Sequence, residues 1–515
     1  MNTKYILSLA FTAALAHLNA QENPNITYSK EKESVLTLKT SAFLGELNLP
    51  AVGNTTLGYF YEAGDYRHPF TGKSKQGLHF SSEKFQRTGD WTVYGRFDFT
   101  TLKEKQLSYA SLVNPFTDNP YQIVDSLKGD WNKQFYDMAL KIASPSFAGG
   151  SMRAGLDLSY QVATGARQMD PRSVDTENKI QLAPNLTYKI SQRHQLGLAA
   201  LYNYHKNDLK LTRANENQQY NVYKLLGLAE YVGASSFIMT SDMFRNYITN
   251  EYGTEVSYRY ASDQFRWLVS GGYLRHDEKV TDGTTYPMKA GKHTYDQYSL
   301  LSAIDLKRGL YNHHFDLNLL YSDISNTEYQ QLQRTDDRSY ETIFEGTLNT
   351  ALRSQATLAY ILAKETSSYR SDWFAKASLS YSGWDNRYAL PQSKEIIDRL
   401  AIGIRFNKAV SRWVFDLASN YNFAVKNEWS YTEKNYSSNF IANNVALPIY
   451  QYLSSDRILN ALSIQYRLAN FGKKNNQLYL RGAGSLETVL SPAMSTIEKG
   501  QSRYSVNLSL GLLTF

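Results

Sequence analysis

Side chains able to do chemistry are few in this chain, and their spacing limits what they can do. His79 and Ser81 stand two apart in His79-Phe80-Ser81. On a strand they share a face, as a base and a nucleophile must. Asp336-Asp337 offers an acidic pair, but no Asp-x-His accompanies it, so two solvated loop charges are the simpler reading. His313 and His314 are adjacent, so in a strand they point to opposite faces and cannot easily chelate one ion. The nine histidines are otherwise scattered, without a His-Glu-x-x-His pattern or a calcium-binding loop. Ser-x-x-Lys, Gly-x-Ser-x-Gly and phosphate-loop patterns occur in no usable setting. Cysteine is absent, which excludes disulfides and thiolate-held metals. The expectation is therefore no enzyme, no catalytic residue, no cofactor and no metal ligand.

The elements that would carry these residues are strands. From about Asn54 onward the chain falls into segments of roughly 10–16 residues in which apolar and polar side chains alternate, a length that crosses a bilayer at a tilt. Trp91, Val93, Gly95, Phe97 and Phe99 take one face against Thr92, Tyr94, Arg96 and Asp98. Leu400, Ile402, Ile404 and Phe406 oppose Arg405 and Asn407 in the same way, and Tyr504, Val506, Leu508, Leu510 and Leu512 form one face of the last segment. Only residues 342–361 are poorly patterned. Short links at 87–90, 190–194, 261–263, 307–311 and 407–411 alternate with longer ones at 103–130, 164–178, 208–247, 276–294, 324–341 and 428–455. The reading is an all-β fold: one transmembrane antiparallel β-barrel, best drawn with 18 strands in a range of 14–18, with short periplasmic turns and long extracellular loops. A soluble sandwich of this length would need several domains, and a propeller would repeat every 40–50 residues or so; no such repeat is present.

The chain has 515 residues, 40 of them tyrosine, and a formal net charge of +7. That charge is mild for the size, and no Lys/Arg block points to nucleic acid. Residues 1–20 read as a signal peptide, with Lys4 before an apolar core that is too short to span a bilayer as a helix. Residues 21–53 then form a short periplasmic segment or small plug, and 54–515 the barrel. The final barrel is expected in the cell outer membrane after the signal is removed.

On the faces assigned inward, the basic residues are Arg96, Arg153, Lys189, Arg259, Arg266, Lys307, Lys376, Arg405, Arg467 and Arg481. The acidic ones are Asp98, Asp157, Glu255, Asp305, Asp316 and Asp416. The positive surplus fits a water-filled path for polar or anionic solutes, or equally a lumen filled by mutually paired side chains. In the longest loop, the apolar run 222–232, with Tyr223 and Tyr231, would turn inward as a constriction, cap the mouth, dock a partner, or add a wall hairpin. Trp429, Tyr431 and Tyr436 make an aromatic surface in the loop 428–455.

Four resemblances bear on this. His79 and Ser81 resemble the histidine-x-serine pair of outer-membrane phospholipase, but Leu78, Ser82 and Glu83 depart from its flanks and the pair lies on the lumen face. Asp336-Asp337 resembles the omptin acidic pair only in part. Gly64-Asp65-Tyr66-Arg67-His68-Pro69, the stretch Gly77-Leu78-His79-Phe80-Ser81-Ser82-Glu83-Lys84-Phe85, and Gly165-Ala166-Arg167-Gln168-Met169-Asp170-Pro171-Arg172 resemble an uncharacterised family of Bacteroidota outer-membrane β-barrel proteins. That resemblance implies fold and location. It also implies company: lipid, the barrel assembly machinery, and a TonB-dependent receptor or surface lipoprotein. Tyr504 and Phe515 resemble the terminal assembly signal of such barrels, which would place Phe515 on the apolar face and require a bulge or a frayed end near 511–513. The function expected is a barrel that admits or helps capture a small polar nutrient as an accessory to a larger uptake system. The alternatives are a non-conducting scaffold that docks a lipoprotein, receptor or secretion component, and a barrel-rim hydrolase.

Overall fold

The computed structural model describes residues 26–47, 51–233, 236–367, 370–433, 439–471, 476–493 and 497–514. The signal peptide, Tyr436 and Phe515 lie outside the described residues. The alternating segments form one 18-stranded antiparallel sheet closed on itself. The first wall strand, Gly53–Gly64, pairs with Ser74–Thr88 on one side and with the last, Ser502–Thr514, on the other. Closure pairs every wall strand on both sides and removes the free edges that an open sheet would leave.

The period of two sorts the side chains. Outward, Leu57, Leu198, Val256, Ile404 and Leu508 are exposed, Leu508 by 64%. A continuous apolar belt of this kind is untenable in water and suits lipid. No helix among the described residues is long and apolar enough to cross a membrane, so the crossing is made by strands. Inward, Asp157, Gln181, Asn203, Ser257 and Asn407 are buried.

Strands run from 12 residues in Gly53–Gly64 to 28 in Tyr340–Ser367. About 9–11 suffice to cross a bilayer, so the longer ones project beyond it. This corrects three of the expected long connections. The links at 168–171, 283–287 and 334–339 are short, because strands continue on either side of them. Above the bilayer neither face has to be apolar, so the alternation that marks a strand fades there. The poorly patterned stretch lies inside Tyr340–Ser367. Its inward Ile361 and Ala363 are apolar because they pack on Tyr28 and Phe374.

The expected bulge near 511–513 is not found. Pairing runs unshifted through Thr514 on one side and Leu513 on the other. Leu510 is 48% exposed and Leu513 is 5% exposed, so the faces alternate without a slip. Gly511 serves instead to make room for the Tyr479 ring, whose hydroxyl donates to Asn54 Oδ1 at 2.8 Å.

The lower end is the one with the tight turns, such as 89–90 and 411–412. Inside it lies the N-terminal segment: a helix Ile26–Lys32 and 3₁₀ turns Ser34–Leu36 and Ser41–Glu46. It touches wall strands around most of the circumference, which only a segment inside the barrel can do. Phe43, Leu44 and Leu47 bury themselves there against Phe85 and Leu268. At the upper end, residues 108–128, 213–233 and 236–242 fold inward. Tyr220–Gly227 pairs with Ile123–Asp125, Phe237–Met239 and Glu230–Tyr231 to make a small inner sheet. The apolar run 222–232 is therefore an inward constriction, and the wall closes without it. Its apolar side chains have a core to join: Val222, Ile123, Tyr121, Leu209 and Tyr247 pack together. Residues 439–455, with the helix Leu447–Ser454, complete this cap against Phe70, Leu107 and Trp131.

Candidate functional site

The lumen is built as a lower plug, an upper cap and two chambers. The plug is held mainly by polar contacts. Glu31 bridges Lys376 at 2.6 Å and Arg405 at 2.8 Å, and Arg405 also forks onto Asp416. Glu33 meets Arg266 at 3.1 Å. Glu46 meets Arg153 at 3.3 Å and Lys189 at 3.5 Å. Glu255 accepts the backbone N–H groups of Lys39 and Thr40, both at 3.0 Å. Lys141 links Asp157 (2.6 Å) to the carbonyl of Leu38 (2.7 Å). Burial pushes the Lys39 ammonium below its ordinary value, and it donates to Gln181 at 2.9 Å. The wall leaves space for the plug at Gly197, where a Cβ would lie 2.7 Å from Thr40 and 2.8 Å from Phe43.

These contacts change the meaning of the positive surplus. Arg153, Lys189 and Lys376 take counter-charges from Glu46 and Glu31 of the plug, while Arg266 and Arg405 share Glu33 and Glu31 with the wall carboxylates Asp305 and Asp416. Of the other expected lumen charges, Arg96 pairs with Asp98 and Asp137, Arg259 donates to Gln195, and Arg481 donates to Ser463. Arg467 is buried near the lower rim, where its backbone N–H meets the carbonyl of Arg412.

The cap is fastened by buried wall charges that alternation alone did not single out. Arg167 forks onto Asp125 at 2.6 and 3.2 Å, with both side chains essentially unexposed. Arg245 forks onto Asp282 at 2.6 and 2.8 Å, and Asp282 also takes Lys224 of the inner sheet at 2.7 Å. Asp175 accepts the Val113 N–H at 2.6 Å, and Arg353 reaches Asp118. Two of the stretches quoted for the family resemblance lie here. Arg167 is one of these anchors, and Asp170 accepts the N–H groups of Ala214 and Asn215 and the Tyr220 hydroxyl. Tyr66 stacks on Tyr452 at 4.8 Å, and its hydroxyl donates to the carbonyl of Tyr452 and accepts from Arg457. His68 is packed among Phe70, Phe116 and Tyr452, and burial lowers its pKa to about 4.

The aromatic loop residues are spent on this packing. Tyr223 stacks on Phe440 at 5.2 Å and meets Tyr231 edge-on; Tyr431 donates to Glu230 at 3.1 Å. Trp429 instead faces the upper chamber, a cavity of about 520 Å³ shared with His68, Arg353, Trp384, Glu395 and Arg399. A lower chamber of about 550 Å³ lies above the plug, bounded by Lys39, Gln181, Asn203, Glu251 and Tyr295. Gln355 borders both. A larger hollow, about 1400 Å³, is lined mostly by outward apolar side chains such as Ile404, Leu462 and Leu508, a surface for acyl chains more than for a polar solute. His79 binds Thr100 at 2.8 Å on the inner face, and Asp336 pairs with Arg334 at an exposed hairpin tip. Neither arrangement brings a nucleophile, a base and an orienting group together.

Fold and site together define a membrane-spanning β-barrel whose lumen is plugged below and capped above. The chain belongs to the family of unknown function DUF6850, whose model matches residues 41–515. No curated protein matches it. Among solved structures it is similar to a copper transporter, OprC (9% identity, TM-score 0.40, covering 89% of this chain and 80% of that one). It is similar also to an apoprotein form of the FrpB iron transporter from Neisseria meningitidis (10%, TM-score 0.41, 92% and 82%). A third is Pseudomonas aeruginosa OpdK with vanillate (10%, TM-score 0.35, 90% and 98%). Likenesses this distant say nothing of what this barrel carries.

Proposed function

We propose that this protein is a gated outer-membrane barrel for uptake, which captures a small polar nutrient in its upper chamber and passes it only when residues 26–47 move. The carrying observation is the manner of closure. The plug is tied to the wall by many ion pairs and hydrogen bonds beside polar cavities as well as by the apolar cluster of Phe43, Leu44 and Leu47, and the partly exposed polar contacts exchange with water more readily than a sealed apolar core. In this reading residues 1–20 are removed on export, the plugged end faces the periplasm, and a larger system, such as a TonB-dependent receptor or surface lipoprotein, supplies the partner. Planar-bilayer conductance tests it. The full chain should be closed or nearly so, and a chain lacking residues 26–47 should conduct and swell liposomes. If the shortened barrel folds yet stays non-conducting, gated uptake is lost. The double closure would then favour the second reading, a non-conducting scaffold that docks such a partner.

A further inference from the structure

Among the described residues, the inner wall carries a cluster that the plug does not touch and the cap meets only through Asn119. His276 and Glu278 lie two apart on the strand Phe265–Asp282, and His293 faces them from Met288–Arg308. One ligand atom from each falls within 4.8 Å of the others, and all three residues are buried. Nε2 of His276 lies 3.5 Å from Oε2 of Glu278, and the two imidazoles meet edge to face with centroids 5.1 Å apart.

The surroundings fix both rings in one sense. His276 Nδ1 is 2.8 Å from Glu251 Oε1. A carboxylate accepts, so in the neutral ring the proton sits on Nδ1 and Nε2 keeps its lone pair. Glu251 is itself held by the Tyr295 hydroxyl at 3.2 Å and by the Asn203 amide. His293 Nδ1 is 2.6 Å from Asn326 Oδ1. The Asn326 amide nitrogen already donates to Asn349, and that of Asn349 donates to Asn386, so Asn326 can only offer His293 an acceptor. His293 therefore also carries its proton on Nδ1. Two imidazoles thus keep an Nε2 lone pair beside one carboxylate. His276 is 8% exposed, and its Nε2 has no hydrogen-bond partner. An orphaned acceptor of that kind is costly unless something electropositive meets it.

From this geometry we infer that His276, Glu278 and His293 form a binding site for one divalent transition-metal ion of the zinc class. Two neutral imidazoles and a carboxylate are a donor set for such ions, and a second group on each Nδ1 is the support that metal-bound histidines have. Glu251 and Tyr295 border the lower chamber, which gives the ion its way in. Asn119 of the cap donates to Glu278 Oε2 at 2.9 Å, so the site also touches the cap. The inference does not depend on whether the barrel conducts.

The test uses the full chain, folded in detergent and stripped with chelator. Titration with Zn²⁺ should give one equivalent, with binding weakening as the pH falls and the imidazoles protonate. His276→Ala or His293→Ala should remove that equivalent, and Glu251→Gln should weaken it by about 10–100-fold. His313→Ala, placed on a separate strand away from the cluster, should leave it intact. X-ray absorption on the Zn²⁺-loaded wild-type chain reads the ligands without any variant and should show two imidazoles with oxygen completing the shell. No binding by the wild-type chain, a shell without imidazole, or an equivalent that survives loss of both histidines in folded protein would overturn the site.

Discussion

Arg245 shows what single residues do in this lumen. Its guanidinium is buried, forks onto Asp282 and touches the carbonyl of Tyr121, tying wall to cap. Removing it leaves the buried carboxylate with Lys224 alone, so Arg245→Ala should cost towards the lower end of about 3–5 kcal/mol in denaturant unfolding of the folded barrel. Amide exchange across Tyr220–Gly227 should rise with it, because Lys224 shares the same carboxylate. His68 supplies a pH-dependent counterpart. Its folded pKa, about 4, lies below the ordinary 6.5, so the unfolded state binds the extra proton first. Its contribution is present above about pH 6.5 and is lost as the pH falls towards 4. Exchange in residues 65–73 and in Leu447–Ser454 should quicken over that window, and His68→Phe should flatten the response. The family-like stretches around Tyr66 and Arg167 were visible in the sequence, but their role was not, because their partners Tyr452 and Asp125 lie 386 and 42 residues away.

Among elements, the wall strands were legible because one face must meet lipid, whereas residues 21–53 could be read only as a periplasmic segment or a small plug, because they meet no lipid at all. Residues 26–47 alternate with no single period, since wall side chains surround them on many sides. The cap, like the plug at Gly197, depends for its fit on small wall residues. At Gly291 an added Cβ would overlap the ring of Tyr121, so Gly291→Ala should loosen residues 108–128 and lower protection of Ile123–Asp125 in hydrogen exchange. The wall also has a weak seam. Trp413–Ser430 and Asp456–Phe471 share ten paired residues, ending at Asn422 with Arg457, while the lower strand ends and the closing pair keep longer ladders. Above it, Asn427 donates to the carbonyl of Ser454 at 3.3 Å, so the helix Leu447–Ser454 bridges the gap. Asn427→Ala should raise exchange along residues 423–430 before any other upper wall segment.

For the whole molecule, the contrast is between a wall held by continuous ladders and a plug held by ion pairs as well as by apolar packing. Raising salt from about 0.1 M to about 1 M shortens the screening length from about 10 Å to about 3 Å. The wall's backbone ladders should barely respond, whereas partly exposed pairs such as Glu46 with Lys189 should weaken. Exchange of residues 26–47 should therefore speed up in high salt while that of the wall strands holds steady. Equal sensitivity of plug and wall would mean that the plug is part of the barrel's cooperative core.

The sequence by itself determined the barrel, a strand count of 14–18 with 18 drawn best, and the two faces of its clearly patterned segments, because a period of two and a lipid-facing belt are local properties. It also carried the positive surplus of the lumen, though not its meaning. Only the tertiary structure decided that Glu31, Glu33 and Glu46 answer those charges, that the run 222–232 builds an inner sheet, and that His276, Glu278 and His293 converge. Each of these joins residues from different strands or from loops folded through the lumen. Such contacts are set by closure and register, which no local spacing records.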